Sequence, residues 1–115
     1  MSEDLYSLDK LTMMSRGNQA FVIKMVKMFV DLTPEAVSKI QLHFQKGEFD
    51  KVKSIAHSIK PSIDSLSITP ITDVIRAIEL FSEKDTSIEE LGYQISMLDS
   101  VIAKVVTDLK EKHSF

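Results

Sequence analysis

The residue whose type and neighbours best suit chemistry is His57, in the stretch of residues 54–66. If residues 49–66 form one helix, at about 100° per residue, the apolar side chains fall on one face and His57 on the opposite side. Lys53 at i−4 and Lys60 at i+3 are then its helical neighbours. An exposed imidazole between two ammonium groups suits nucleophilic attack on phosphorus, because lysines offer charge-assisted hydrogen bonds to phosphate oxygens.

Other interpretations of His57 fit the pattern less well. A buried structural histidine would lie on the apolar stripe, and a zinc site would need three or four His, Cys or carboxylate ligands converging on one point. Neither pattern is present in the sequence. Because surface histidines flanked by lysines are common, an exposed histidine without a function remains the alternative on helix geometry alone.

Residues 56–67 also carry a motif. Ala56, His57, Lys60 and Leu66 match the pattern A-H-x-L-K-G-x-x-x-x-L-G, and Ile59 matches it conservatively. The segment therefore resembles the signature of histidine-containing phosphotransfer (HPt) domains. Residues 46–50 resemble the Gly-Asp-aromatic lead-in to that family's active helix, and the similarity covers roughly residues 6 to 110.

The chain departs from the family pattern at two positions, where Pro61 and Ser67 replace the usual glycines. In the family the first glycine keeps the surface beside the histidine low, so that a partner protein reaches the ring. Proline also lacks a long side chain, so access should survive. Because Pro61 has no N–H for the carbonyl of His57 and its ring crowds that turn, we expect a local kink.

The resemblance implies a phosphorelay intermediate: His57 accepts a phosphoryl group, through Nε2, from a receiver-domain aspartyl phosphate and passes it to another receiver aspartate. Lys60 would contact the phosphoryl oxygens. Lys53 has a secondary electrostatic role that rests on helix geometry only. Three residues would border the docking face and bind the partner: Pro61, Ser62 and Asp64.

The implied partners are response-regulator receiver domains and a hybrid sensor histidine kinase. The sequence holds no phosphate-cradling Gly-rich loop and no convergent acidic cluster for Mg²⁺. We therefore expect no cofactor or metal site in this chain, with Mg²⁺ and most of the catalysis supplied by the receiver. Two alternatives remain: a helical protein-interaction module that is not phosphorylated, and a small metal- or ligand-binding enzyme.

Composition favours one ordinary globular domain over residues 1–115, since 43% of the residues are apolar and 27% are charged. The absence of cysteine fits a reducing compartment, and cytoplasm is the expectation. The acidic start does not resemble a secretory signal, and no apolar run is long enough to span a bilayer. A formal charge of −3 argues against nucleic acid. We expect a monomer that binds proteins.

The rest of the chain has helical periodicity. Spacings of three predict a short helical segment over residues 5–14, and residues 16–18 predict a stop followed by a new start. Thr33-Pro34 suggests an N-cap with a first-turn proline, giving two segments or one helix bent at Pro34, which ends near Gly47. The predicted core stripe there consists of Phe21, Met25, Met28, Phe29, Leu32, Val37, Ile40 and Phe44.

Thr69-Pro70 predicts another helix start, and residues 87–90 form a capping box before a long seam with alternating spacings of three and four. No segment has the alternating pattern of a strand. We predict an all-α protein, an antiparallel four-helix bundle with a short N-terminal helical segment covering one end. A coiled coil between chains is the weaker alternative, because the other helices have apolar stripes of their own to bury.

Overall fold

The computed structural model describes residues 5–115, which form an all-α structure with no strand in this range. Five helices follow one another along the chain, with a 3₁₀ turn at Thr69–Ile71 before the fourth. They are α1 (Asp9–Met14), α2 (Gln19–Gln45), α3 (Phe49–Ser65), α4 (Thr72–Glu79) and α5 (Ile88–His113). Helices α2 and α4 each contact α3 and α5, while α1 packs on α2. The predicted four-helix bundle with a short N-terminal segment is confirmed.

Helix α2 runs through Pro34 without a break, so the predicted N-cap at Thr33 is wrong. Thr33 is only 3% exposed and lies within the helix. A proline in a helix interior costs about 3 kcal/mol because it removes one hydrogen bond and crowds the preceding turn. The buried side chains of Val30 and Val37, on either side of Pro34, keep both halves of α2 on the core. Tertiary packing therefore outweighs the local start signal.

The core face of α2 differs from the predicted stripe. Phe21, Met28 and Leu32 are exposed by 39%, 44% and 57%, so the assignment of these three residues to the core is wrong. Met25 is half-buried against the core. The sequence of α2 carries apolar residues over more than one arc, and periodicity alone did not separate them. Its buried residues are Val22, Val26, Phe29, Val30, Thr33, Val37 and Ile40.

Two helices end in the same left-handed turn. Gly47, at φ 72°, follows α2, and the amides of Gly47 and Glu48 donate to the carbonyls of Phe44 and His43 at 3.0 and 2.9 Å. Such paired bonds define a Schellman cap, in which glycine is usual because its backbone adopts positive φ without strain. Gly47 therefore closes α2 where the sequence predicts a C-cap.

Ser67 takes the same role after α3. Its φ is 49°, its amide donates to the Asp64 carbonyl at 3.0 Å, and the Ile68 amide donates to the Ile63 carbonyl at 3.1 Å. One of the two family glycine positions is thus a backbone requirement of the helix end, and this chain meets it with a serine. The N-terminal segment fixes the same turn, because the amide of Ser7 donates to the Leu66 carbonyl at 2.9 Å.

The two ends of the described chain are also joined. The Tyr6 hydroxyl donates to Asp108 on α5, and Lys112 pairs with the same carboxylate at 3.2 Å. The hydrogen bond from Tyr6, and then Lys112, holds the pKa of Asp108 below its usual range. Residues before α1 therefore attach both to the last turns of α5 and to the end of α3.

Helix α5 begins at the predicted N-cap and buries most of the predicted apolar seam. The Ser87 hydroxyl accepts a hydrogen bond from the Glu90 amide at 3.0 Å, which is the N-cap half of the predicted capping box. Ile88 is 45% exposed, but the rest of the predicted seam is buried: Leu91, Ile95, Leu98, Ile102, Val105 and Leu109. Over residues 5–115, no helix combines the length and apolar character needed to cross a membrane.

Candidate functional site

His57 lies on the outward face of α3, with its side chain 70% exposed. Ala56, directly before it, and Ile59, two residues after it, are buried in the core. The helix is therefore held by its apolar stripe while the imidazole projects into solvent, as the periodicity predicts. The ring is therefore accessible from solvent.

The nearest chemical partner of His57 is Glu79, the last residue of α4, which the sequence analysis missed. Glu79 Oε2 is in close hydrogen-bond contact with Nδ1 of His57, and Glu79 Oε1 accepts a hydrogen bond from Lys60 Nζ at 2.6 Å. The Glu79 side chain is 16% exposed and that of Lys60 27% exposed. One largely covered carboxylate thus holds both the histidine and the lysine of the motif.

This contact assigns the two ring nitrogens of His57. The hydrogen bond from Lys60, and then that from His57, holds the pKa of Glu79 below its usual range. An ionised carboxylate only accepts hydrogen bonds, so Nδ1 of the neutral ring carries the proton that it donates to Glu79. The lone pair then lies on Nε2, the nitrogen that the family resemblance implies as the nucleophile.

Helix α4 brings Glu79 to the site through its own packing. Ile75 and Ile78 are fully buried, and Arg76 donates to Asp64 on α3 at 2.8 Å and to the Thr72 carbonyl at 2.9 Å. The Asp64 carboxylate raises the pKa of the Arg76 guanidinium. Asp64, predicted to border the docking face, therefore also ties α3 to α4 beside the histidine.

A signal for Glu79 was present in the sequence. A carboxylate in the last turn of a helix faces the negative end of the helix dipole, which is unfavourable unless it has a specific partner. Glu79 stands there directly after Ile78, at the end of the apolar stripe of α4. The partner lies 22 positions earlier in the chain, so no helical spacing connects the two residues.

The other predicted residues lie around His57 at different depths. Lys53 is half-buried and borders a shallow depression with Phe81 and residues 82–84, in the loop after α4. Pro61 is exposed, and Ser62 is half-buried one turn beyond His57. Helix α3 continues through Pro61 to Ser65, so the proline neither ends nor divides it.

An apolar depression lies beside the site, between α2 and α3. It is bordered on α3 by Ser58, Ile59 and Ser62, and Ser58 directly follows His57. Its other side is formed on α2 by the exposed side chains of Met28 and Leu32 and by Met25, which is half-buried against the core.

Within the part of the chain that is described, no group of three or more His, Cys, Asp or Glu side chains is arranged to hold a metal ion. The groups at the site are one imidazole, one carboxylate and one ammonium, which suit the carriage of an anionic group on histidine.

The fold and site together define a class of protein: a helical bundle that presents His57 on an outward helix face. A family model described as Hpt domain matches residues 24–111, and the chain belongs to this family of histidine-containing phosphotransfer domains. Neither curated proteins nor solved structures give a significant match. Membership gives the chain a role related to phosphotransfer, in a family whose members interact with receiver domains and kinases.

Proposed function

We propose that this chain is a phosphorelay intermediate, in which His57 accepts a phosphoryl group from a receiver-domain aspartyl phosphate and passes it to another receiver aspartate. The observation that carries the proposal is the combination of the hydrogen bond at Nδ1 of His57 and the exposure of its side chain. Nδ1 is held by Glu79, while the side chain as a whole is exposed to an approaching partner. Nε2 is therefore a preoriented nucleophile on an accessible surface.

The transfer follows from this arrangement. The lone pair of Nε2 attacks phosphorus in line, and the bond from phosphorus to the aspartyl oxygen breaks, returning its electron pair to the receiver carboxylate. The reverse sequence loads the next receiver. The described residues supply no metal cluster, so we expect Mg²⁺ to belong to the receiver domain. The chain then acts as a phosphohistidine carrier.

Lys60 is the side chain we assign to the phosphoryl oxygens. Its Nζ lies 2.6 Å from Glu79 Oε1, and His57 binds Oε2, the other oxygen of the same carboxylate. An ammonium has three donors, so Lys60 has hydrogens left for a phosphoryl group. Lys53, one turn before His57, adds positive charge at longer range.

The docking face for a receiver domain is proposed to combine two surfaces that meet near His57. Pro61, Ser62 and Asp64 continue α3 beyond the ring, and the apolar residues that border the depression between α2 and α3 adjoin Ser58 and Ser62. Exposed apolar side chains next to a reactive group are typical of a protein-binding surface. A receiver domain, in isolation or in a hybrid sensor kinase, is the proposed occupant, with this chain a cytoplasmic monomer.

The test is phosphoryl transfer from an isolated receiver domain. The protein is mixed with a ³²P-labelled receiver and Mg²⁺, and we expect an acid-labile, base-stable label on His57. His57→Gln should remove the label and leave the melting temperature nearly unchanged, because an exposed side chain contributes little to the core. His43→Gln, at the end of α2, is the control that should keep the label.

Two results would contradict the proposal. Labelling of His57→Gln would place the phosphoryl group elsewhere, and stable binding of receivers without any label would leave the interaction module as the function.

A further inference from the structure

A methionine sulfur lies open to solvent on the surface beside the histidine site. The chain has no cysteine and six methionines, so thioethers are its only sulfur atoms. Met28 on α2 is 44% exposed and borders the apolar depression between α2 and α3. Met25, one turn before it, is half-buried against the core. Of the two methionines in this depression, Met28 is therefore the one that a dissolved reagent reaches more easily.

The depression connects Met28 to the part of α3 that carries the histidine. Its α3 side is formed by Ser58, Ile59 and Ser62, and Ser58 directly follows His57 in the chain. Leu32, one turn after Met28, continues the exposed apolar surface on α2. The Met28 side chain thus belongs to the surface that a receiver domain buries in the proposed docking arrangement.

Oxidation changes the chemical character of such a side chain. In the reaction with hydrogen peroxide, the thioether sulfur attacks a peroxide oxygen, the O–O bond breaks, and the other oxygen leaves as water, so that the sulfur is oxidised and the peroxide reduced. An apolar, adaptable thioether becomes a polar sulfoxide with a strong hydrogen-bond acceptor. Burying that acceptor against an apolar partner surface is unfavourable unless a donor meets it.

We propose that Met28 is an oxidation site through which peroxides weaken the docking of receiver domains, while the chemistry of His57 is left intact. This inference rests on the proposed function, since it concerns the receiver-docking face. The hydrogen-bonded groups at the histidine site are the side chains of His57, Lys60 and Glu79, none of which contains sulfur. Reduction of the sulfoxide by a methionine sulfoxide reductase restores the thioether, so the modification is reversible.

Two methionines elsewhere in the chain provide an internal comparison. Met13 and Met14 on α1 are 79% and 64% exposed, so they are more open to a peroxide than Met28. Neither of them borders the depression between α2 and α3. Oxidation on α1 should therefore occur under the same conditions and leave receiver docking unchanged, which separates an effect of position from a general effect of oxidation.

The test compares the protein before and after treatment with hydrogen peroxide, with sulfoxides located by mass spectrometry of peptides. The apparent KM for transfer from a ³²P-labelled receiver, in the presence of Mg²⁺, should rise at least about fivefold once Met28 is oxidised, the order expected when a polar group is buried without a partner. Labelling by phosphoramidate, a small-molecule donor that needs no docking, should keep its rate. Treatment with methionine sulfoxide reductase should restore the original KM.

Three variants assign the effect to position 28. Met28→Leu keeps an apolar side chain of similar volume, so its untreated KM should equal that of the wild-type protein and should not change with peroxide. Met28→Gln introduces a polar group without any oxidant and should raise the KM in the untreated protein. Met13→Leu is the matched control, which should remain as sensitive to peroxide as the wild-type protein.

Two results would overturn the inference: a Met28→Leu protein that loses transfer on oxidation as the wild-type protein does, or an unchanged KM in a protein whose Met28 is fully converted to sulfoxide. Failure of the proposed function gives a different result, because untreated wild-type protein would then take no label from any receiver. Receiver binding, measured by titration calorimetry, then decides the role of Met28. Weaker binding by Met28→Gln than by the wild-type protein would support it, and equal binding or none would overturn it.

Discussion

At the scale of single residues, the surface beside His57 depends on the short side chain at position 61. Pro61, one turn after the histidine, is exposed and carries no chain long enough to cover the ring. Within a helix the residue at i+4 projects onto the same face as residue i. In the proposed docking arrangement, the side chain at position 61 would therefore set how closely a receiver surface approaches Nε2.

Pro61→Lys should obstruct docking of a receiver and slow phosphoryl transfer, although it should not lower the stability of the bundle. Lysine is a better helix former than proline by about 3 kcal/mol in a helix interior. Pro61→Gly, which restores the usual residue of the family, should preserve transfer. The measurements are transfer rates from a labelled receiver and thermal unfolding of each variant.

Ala103→Lys, on the exposed side of α5, provides the control for added charge and should leave transfer unchanged. If Pro61→Lys transferred at the wild-type rate, the docking face would have to lie elsewhere, and Pro61 would be a tolerated irregularity of α3.

At the scale of helices, the end of α3 stores a small backbone strain. Ser67 adopts φ 49°, in the left-handed region where residues with a Cβ are disfavoured by roughly 1–2 kcal/mol. The turn is retained because it completes the cap of α3 and because Ser7 binds the adjacent Leu66 carbonyl. Helix α3 thus ends at the same place with either serine or glycine.

Ser67→Gly should stabilise the protein by about 1 kcal/mol, because glycine relieves the strain at positive φ but gains freedom in the unfolded chain. Urea unfolding followed by circular dichroism measures the difference. Gly47→Ala makes the reverse change in the equivalent turn after α2, where φ is 72° and no atom lies close enough to obstruct a Cβ. Gly47→Ala should lower the free energy of unfolding by a similar amount. A Ser67→Gly variant less stable than the wild-type protein would contradict the prediction, because it would show that the serine side chain contributes more to stability than its backbone strain costs.

At the scale of the whole molecule, a hydrogen bond and an ion pair to one carboxylate join the N-terminal segment to the last helix. Tyr6 and Lys112 both bind Asp108, which keeps the pKa of this carboxyl below its usual range. A carboxyl whose pKa is lowered by folding contributes stability above its unfolded pKa, near about 3.9, and loses that contribution as the pH falls through the folded value.

Asp108→Asn should therefore lower stability at pH 7 by about 1 kcal/mol, the usual order for a hydrogen bond to a charged group after partial compensation. The difference from the wild-type protein should shrink as the pH is lowered below about 4. Urea midpoints at several pH values give this comparison. Asp31→Asn, which removes an exposed pair with Lys27, should change stability little, and a constant difference for Asp108→Asn at all pH values would contradict the assignment.

The sequence predicts much of this molecule, for identifiable reasons. The number of helices and the outward position of His57 follow from apolar periodicity, and the Gly47 turn follows from glycine's access to positive φ. The buried face of α2 cannot be predicted from periodicity, because apolar residues occupy two arcs of this helix and only tertiary contacts decide between them. Glu79 was missed because its contact with His57 is made across two helices, which periodicity within one helix does not describe.

The contact of Tyr6 with Asp108 also has a consequence for the entropy of folding. The two residues are 102 positions apart, whereas His57 and Glu79 are separated by only 22. Because the entropic cost of closing a loop grows with the logarithm of its length, the Tyr6 contact costs about 1 kcal/mol more loop-closure entropy in the unfolded chain than the contact at the histidine site. The contact at the histidine site is thus the more local of the two, and the N-terminal segment is joined to α5 at the greater entropic cost.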